Sequence, residues 1–342
     1  MGVARSSCVV LAAVPHGVPS PDCFALREEQ VPQLRDGDVL VHVTELSLDP
    51  YLRTAIVGRH LDDPVVPIGG VIPGRAIGRV VESRSPSVEE GTWVLAETGW
   101  REYAVLPGSE VQPVQVPPGV PRSAALGALG MPGLTAYAAI ERHLRPTAGE
   151  TVVIGSAVGG VGSVAGQLAR VAGARTVALV GDERKARIAR DRLGYDEVVI
   201  RTAPDWRDQL ARACPEGVHG YLHMGDAPTL DGVLNALAIG ARVSLCGLMD
   251  QYNDGPRTML AAGAVMRARA IVYGMVVYDH ADLADQHRAR VGELIRTGQL
   301  TLNEDRYSGL DRAPEAFSRL MSGQNTGKVV VEVAPSDEVG DR

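Results

Sequence analysis

The sequence predicts an α/β protein in which a doubly wound parallel sheet is set into a smaller β-rich unit. Two observations carry this. Residues 1–120 hold short alternating apolar runs cut apart by Pro and Gly, the pattern of a small barrel or sandwich. From about residue 122 strand-like and helix-like segments alternate, which argues a parallel sheet with helices on both faces. Beyond residue 302 the chain returns to the first style. Residues 1–122 plus 303–342 are therefore expected to form one domain and 123–302 the other.

The elements follow from local pattern. Val39 to Val43, Ile77 to Val81 and Thr92 to Ala96 alternate as half-buried strands. Ser123 to Leu144 reads as helices broken by Met131-Pro132-Gly133. The alternating part then predicts strands at 151–155, 175–180, 197–200, 219–223 and 241–246. Helices are expected at 161–172, 183–193, 205–213 and 229–239. The apolar run 270–278 reads as one further strand, followed by a helix at 281–297. In the tail, 309–321 reads as a helix with Pro314 in its first turn, and 328–333 as a strand.

Composition narrows the class. The 342 residues are 45% hydrophobic and 22% charged, a soluble globular mix that excludes a disordered chain, a coiled coil or a small disulfide scaffold. A net charge of −7 and no basic run argue against nucleic acid as a partner. Cys8, Cys23, Cys214 and Cys246 form no CxxC pair, so no zinc knuckle is expected and a reduced, cytoplasmic compartment fits. The uncharged runs 123–140 and 151–169 are punctuated by glycine and read as buried core rather than membrane spans. The apolar stretch from Cys8 to Val14 is too short for a signal peptide, so no export is expected. Of 34 basic residues only Lys185 and Lys328 are lysine, which suggests they stand where an ammonium point charge is needed.

The strongest local signal is Thr151 to Gly155 followed by Ser156-Ala157-Val158-Gly159-Gly160-Val161-Gly162. A strand runs into a glycine turn and then a helix, the dinucleotide fingerprint with Ala157, Gly159 and Gly162 in the glycine positions. A missing side chain at Gly159 lets the backbone approach a pyrophosphate, which helix N–H groups hold. The end of the second strand separates NAD from NADP. An Asp or Glu there reads the ribose 2′-hydroxyl, but here the place is Gly181, with Lys185 four residues on. A glycine does not repel a 2′-phosphate and a lysine attracts it, so NADP is expected. Asp182 and Glu183 suit a helix N-terminus.

These residues also resemble a family. Asp49-Pro50-Tyr51-Leu52-Arg53, Met131 to Tyr137, Val161-Gly162-Ser163, Lys185, Leu193 to Asp196, Cys246-Gly247 to Asn253 and Asn325-Thr326-Gly327-Lys328 resemble the medium-chain dehydrogenase/reductase superfamily. Within it the likeness is to the zinc-independent leukotriene B4 dehydrogenase / prostaglandin reductase / double-bond reductase group. The resemblance implies a GroES-like barrel with an inserted Rossmann domain, and NADPH in the cleft between them. It implies reduction of the carbon–carbon double bond of α,β-unsaturated ketones and aldehydes. Carried over residue by residue, Gly159, Gly160, Val161 and Gly162 would meet the pyrophosphate and Lys185 the 2′-phosphate. Cys246, Gly247, Leu248 and Tyr252 would line the cofactor, Met275, Val276 and Val277 would flank the nicotinamide, and Asn325 would close over it. Members of the group often pair through the segment matching 270–278, so a homodimer is expected.

Three departures stand out. Arg201 occupies the place of the family's phosphate-binding tyrosine, and arginine still binds phosphate. His223-Met224-Gly225-Asp226 replaces Asp-Asn-Val-Gly, removing an amide expected beside the cofactor. Gly274-Met275-Val276-Val277 replaces an aromatic-bearing segment. The zinc branch's Gly-His-Glu stretch is here Pro73-Gly74-Arg75-Ala76, and no metal site is expected. His219 and His223 flank a strand, where i and i+4 lie about 13 Å apart.

The expected chemistry is conjugate reduction. Hydride adds to the β-carbon, and the enolate oxygen needs pre-aimed donors. Tyr252, the ribose hydroxyl and Tyr51 are the candidates, with wall packing and ribose positioning as the plainer roles of the two tyrosines. Two alternatives stay open at this level: a quinone reductase or dedicated biosynthetic reductase, and an NADP-binding sensor with little catalysis. The sequence also leaves open whether Arg53, Arg59 or His60 faces the cleft.

Overall fold

The structure is a computed structural model that describes residues 5–61 and 64–334. The outer ends expected for the first domain, 1–4 and 335–342, lie outside these residues.

The chain opens with an antiparallel hairpin of β1 (Arg5–Leu11) and β2 (Phe24–Gln30). Next come β3 (Asp38–Leu48), the short helix α1 (Leu52–Ile56), β4 (Arg75–Ser83), β5 (Trp93–Glu97), β6 (Tyr103–Pro107) and β7 (Gln112–Pro113). β3 is the spine of this sheet. It pairs antiparallel with β4 and with β6, and nearly all its side chains are buried.

Pro132 then sits in the first turn of α2 (Met131–Ala138). Met131-Pro132-Gly133 therefore starts this helix instead of breaking one, because proline at that position has no amide to lose. The alternating part follows as β8 (Thr151–Ile154), α3 (Gly162–Val171), β9 (Arg175–Val180), α4 (Glu183–Arg187), β10 (Glu197–Ile200) and α5 (Trp206–Ala213). It continues through β11 (Val218–Gly225), α6 (Ala227–Leu234), β12 (Leu237–Leu248), α7 (Met249–Tyr252), α8 (Ala262–Ala268), β13 (Ile271–Gly274) and α9 (Ala284–Arg296). The six strands are all parallel, in the order β10-β9-β8-β11-β12-β13. This is the doubly wound Rossmann order. Val152 and Ile154 of β8 face a core shared with α2, α3 and α9, while Val153 between them faces the core of α5 and α6. The period-two alternation of a strand thus supplies both faces.

The chain ends with β14 (Glu304–Ser308), α10 (Ala313–Met321) and β15 (Lys328–Glu332). β15 pairs antiparallel with β3 and parallel with β14, so the tail joins the first sheet. Among the described residues no helix is long and apolar enough to cross a membrane.

The expected helix 229–239 ends at Leu234. The Ala236 carbonyl accepts from the Val218 N–H, which draws the chain into the sheet, and β12 already begins at Leu237. The expected strand 270–278 stops at Gly274. The Met275 N–H still bonds the Leu245 carbonyl, but Met275 then turns its side chain into the core, and 277–283 winds into a 3-10 turn. α8 and β14 had no counterpart in the sequence pattern.

Three histidines are buried in this fold: His143, His223 and His287. His287 on α9 bonds the Ala128 carbonyl at 2.9 Å and packs on Tyr137. Burial pulls its pKa down to about 4, as it does for His143 and His223. Unfolded histidine titrates near 6.5, so protons favour the unfolded chain. The histidine contribution to stability is full above about pH 6.5 and is lost as pH falls towards 4. Melting temperature is expected to drop across that window, and less steeply in His287→Gln; parallel slopes for the two proteins would contradict this.

Candidate active site in the interdomain cleft

A cleft of about 560 Å³ opens where the strand order reverses between β8 and β11. Its size falls in the range of roughly 300–1,000 Å³ typical of small-molecule and cofactor sites. One wall comes from the parallel sheet: the turn Gly155 to Gly162, Met224 to Asp226, then Met249, Asp250 and Asn253. The other comes from the barrel side: Asp49, Leu320 to Gly323, Asn325 and Lys328. A smaller recess of about 60 Å³ adjoins it, lined by Ser156 to Gly159, Gly181, Lys185, Arg201, Gly323 and Asn325.

The glycine turn is built by close approach. Ser156 sits at φ +49° and its hydroxyl donates to the Met224 carbonyl at 2.5 Å. A Cβ at Gly162 would collide with the Ser156 carbonyl oxygen, and one at Gly160 would stand 3.0 Å from Cδ of Lys328. From below, the buried Tyr195 hydroxyl donates to the carbonyls of Gly162 at 2.8 Å and Ala157 at 3.1 Å. Tyr195 fits only because Gly166 leaves room; a Cβ there would overlap its phenol oxygen. A buried phenol needs such partners, and here they fasten the turn to α3. Gly159, Gly160, Val161 and Gly162 all line the cleft.

The recess has the chemistry of a phosphate site. Beside Gly181, the nearest atom to an added Cβ is Nη2 of Arg201, 4.0 Å away, and no carboxylate lines the recess. Asp182 is turned to capping, its side chain accepting from the Lys185 N–H at 2.9 Å. Lys185 is 8% exposed, and its ammonium donates to the Gly323 carbonyl, across the cleft on the barrel side. Burial lowers its pKa, with Asp182 opposing. Arg201 is held by Asp226 at 2.5 Å, and Asp226 also caps α6 through the Thr229 N–H. Asn325 donates to the Gly327 carbonyl at 2.9 Å and lines both spaces.

The other expected residues lie around this core. Tyr252 ends α7 and packs against the apolar cluster of the barrel side. Burial and the neighbouring Cys246 push its phenol above the usual range. The Tyr51 ring packs at a 38° tilt against His60, centroids 4.7 Å apart, and burial likewise raises its pKa. Cys246 packs against the Rossmann core, and its thiol is pushed up to about 12 by burial. Gly247 lies 3.7 Å, from an added Cβ, to Cα of Met224. Leu248 immediately precedes α7. Met275 is buried, Val277 half-buried and Val276 exposed. None of these eight is among the residues lining the cleft.

Sequence reasoning missed Asp49, Ser156, Asp226 and Asp250 as cleft residues, and the pairing of Lys328. The Lys328 ammonium donates to Asp49 at 2.8 Å and to the Leu48 carbonyl at 2.7 Å, and Asp49 also accepts from Ser47 at 2.5 Å. The scarcity of lysine pointed to Lys328, but nothing local pointed to its partner. The replaced stretch is split: His223 is fully buried, its Nδ1 2.7 Å from the Tyr221 hydroxyl, while Met224, Gly225 and Asp226 line the cleft.

A doubly wound parallel sheet with a glycine turn at its switch point, facing a barrel sheet, defines a nucleotide-dependent dehydrogenase or reductase fold. Residues 7–114 match the family model described as the N-terminal domain of oxidoreductase, and residues 160–289 the one described as zinc-binding dehydrogenase. The chain is 37% identical over 335 residues to NADPH-dependent curcumin reductase of Escherichia coli, covering 96% of this chain and 97% of the relative. It is 32% identical over 306 residues to 2-alkenal reductase (NADP(+)-dependent) of Nicotiana tabacum, covering 87% and 88%. The structure of CurA from Vibrio vulnificus in complex with NADPH superposes with a TM-score of 0.90 at 34% identity, covering 96% of this chain and 99% of that one. The chain belongs to the medium-chain dehydrogenase/reductase superfamily, in its leukotriene B4 dehydrogenase / prostaglandin reductase / double-bond reductase group.

Although one matching model is described as zinc-binding, no group of three or more His, Cys, Asp or Glu that could hold a metal occurs among the described residues. His219 and His223 both lie in β11 but serve separate partners, the Thr151 N–H and Tyr221.

The recess yields a direct expectation. Lys185→Gln should weaken binding of adenosine 2′,5′-bisphosphate about 10- to 100-fold, the size of one charge-assisted hydrogen bond, and leave 5′-AMP unchanged. Calorimetric titration of both nucleotides checks it, and equal weakening of the two would remove Lys185 from 2′-phosphate recognition.

Proposed function

We propose that this chain is an NADPH-dependent reductase of the carbon–carbon double bond in α,β-unsaturated ketones and aldehydes, working in the cleft without zinc. The observation that carries the reading is the carboxylate-free end of β9, with Lys185 and Arg201 around the recess. The names of the Escherichia coli and Nicotiana tabacum relatives support the substrate class. The domains run 1–122 plus 303–342 and 123–302 in this reading.

The residues fit the cofactor. Gly159, Gly160, Val161 and Gly162 carry no side chain or a short one towards the cleft and offer backbone to a pyrophosphate. Lys185 and Arg201 receive the 2′-phosphate, and Asn325 closes the barrel side. Cys246, Gly247, Leu248, Met275, Val276 and Val277 form the outer support of the nicotinamide end. Bound NADPH supplies the hydride that reaches the β-carbon of the substrate. Negative charge then builds on the carbonyl oxygen, and Tyr252 and Tyr51 are its candidate donors. A phenol is already protonated at neutral pH, and burial pushes both further in that direction, the state a hydrogen-bond donor needs. The α-carbon takes its proton from water or a tyrosine.

Turnover with a panel of short enones tests the reading: NADPH should be consumed and the saturated carbonyl formed, while consumption with quinones alone would shift the assignment to quinone reduction. Tyr252→Phe should lower kcat about 100-fold, the usual loss for one oxyanion donor; full turnover would remove Tyr252 from the chemistry.

A homodimer follows from the same reading. β13 is an edge strand of the parallel sheet, and Ile271 in it and Val276 and Tyr278 just after it are about half exposed. Such an edge invites pairing with a second copy. A cytoplasmic setting agrees with four free thiols. Light scattering should give twice the chain mass, and a single-chain mass would contradict the dimer.

A further inference from the structure

The segment after β12 leaves the parallel sheet and becomes a wall of the cleft through Met249, Asp250, Asn253 and Gly255. Its far end is gripped by the barrel side. Asp254 stands at φ +58°, a left-handed conformation that Asp and Asn tolerate better than most residues. One carboxylate oxygen accepts from Nη2 of Arg53 at 2.6 Å and from the Gly17 N–H at 3.2 Å. The other accepts from Nη2 of Arg59 at 2.6 Å. Arg53 is fully buried. Its remaining bonds go to the carbonyls of Pro15 at 3.0 Å and Gly17 at 3.2 Å. Next to this grip, Asn253 donates to the Met321 carbonyl at 3.0 Å, while its Oδ1 is buried without a partner in the cleft wall.

A fully buried guanidinium is costly unless paired. Arg53 is paired here with a residue of the other sheet's loop, 201 positions away in the chain. Neither Arg53 nor Arg59 lines the cleft, and both turn their guanidinium groups to Asp254. Burial works to raise the Asp254 pKa, but the Arg59 hydrogen bond, the Gly17 N–H and the charges of both arginines hold it below the usual carboxylate range. The carboxylate therefore stays charged through the neutral range.

We propose that Arg53, Arg59 and Asp254 form an interdomain clasp that fixes the Met249–Gly255 wall, making all three positioning residues for cofactor and substrate. The half that concerns ligands rests on the function proposed above; the mechanical half does not. Unclasped, the wall loses its anchor, and the buried Asn253 acceptor loses its place beside the ligand.

Asp254→Asn removes the charge while keeping the left-handed turn and an acceptor for Gly17. Arg59→Gln does the same from the half-exposed side. Hydrogen exchange of residues 249–255 in the free protein reads the clasp alone. It should speed up about tenfold in both variants, with β8 to β12 unchanged, as expected for local opening. NADPH titrated by its fluorescence should bind about tenfold more weakly and the enone KM should rise, while kcat falls by less than in Tyr252→Phe, because Tyr252 stays present on a loosened wall. Unchanged exchange overturns the clasp. Faster exchange with unchanged NADPH affinity and KM overturns its positioning role. A wild-type chain that takes up no NADPH would instead defeat the functional reading, and the exchange result would still judge the clasp.

Discussion

Lys328 of β15 packs the barrel sheet against the glycine turn of the parallel sheet. Its stem lies against Gly127 and Gly160, and its ammonium is buried against the Leu48 carbonyl and the Asp49 carboxylate. The glycine turn of the parallel sheet and the end of β3 in the barrel sheet are thus held by one side chain from β15. Each dependency is physical. A side chain at Gly160 would displace the lysine stem, and loss of either charge would leave the other buried and unpaired, which typically costs about 3–5 kcal/mol.

The same economy appears in the second lysine. Lys185 also ends on a carbonyl, that of Gly323 across the cleft. The Lys185 ammonium bridges the units that enclose the ligand space, whereas the Lys328 ammonium stays within the barrel side and only its stem meets the glycine turn. Lys328 is fully engaged by carboxylate and carbonyl. Lys185 is held only by a neutral carbonyl, which an incoming phosphate outbids as a partner for an ammonium. In the proposed reading Lys328 is structural and Lys185 is the one that responds to a ligand, although the two residues are chemically identical.

Much of this was legible in the sequence where the determinants are local. The run Thr151 to Ile154 alternates between two cores, and the turn after it needs glycine at Gly162 for steric reasons that no other residue meets. What was not legible depends on distant partners. The apolar stretch after Leu234 suits a helix, and only the bond from Val218 to Ala236 makes it strand. Glu304–Ser308 shows no apolar alternation, because β14 is an edge strand whose Arg306 pairs with Glu45, Glu304 and Glu332. Asp49 and Lys328 stand 279 positions apart. Tyr51, Tyr252 and Met275 to Val277 were named through family likeness, and they surround the cleft without lining it.

In the proposed reading the cleft at the switch point holds NADPH with its 2′-phosphate in the recess beside Gly181. A crystal structure of the chain grown with NADPH tests this most directly. The pyrophosphate is expected against the backbone of Gly159 to Gly162 and the 2′-phosphate on Lys185 and Arg201, with the Lys185 bond to Gly323 replaced. A cofactor seated elsewhere, or a 2′-phosphate pointing away from Lys185 into solvent, would contradict it.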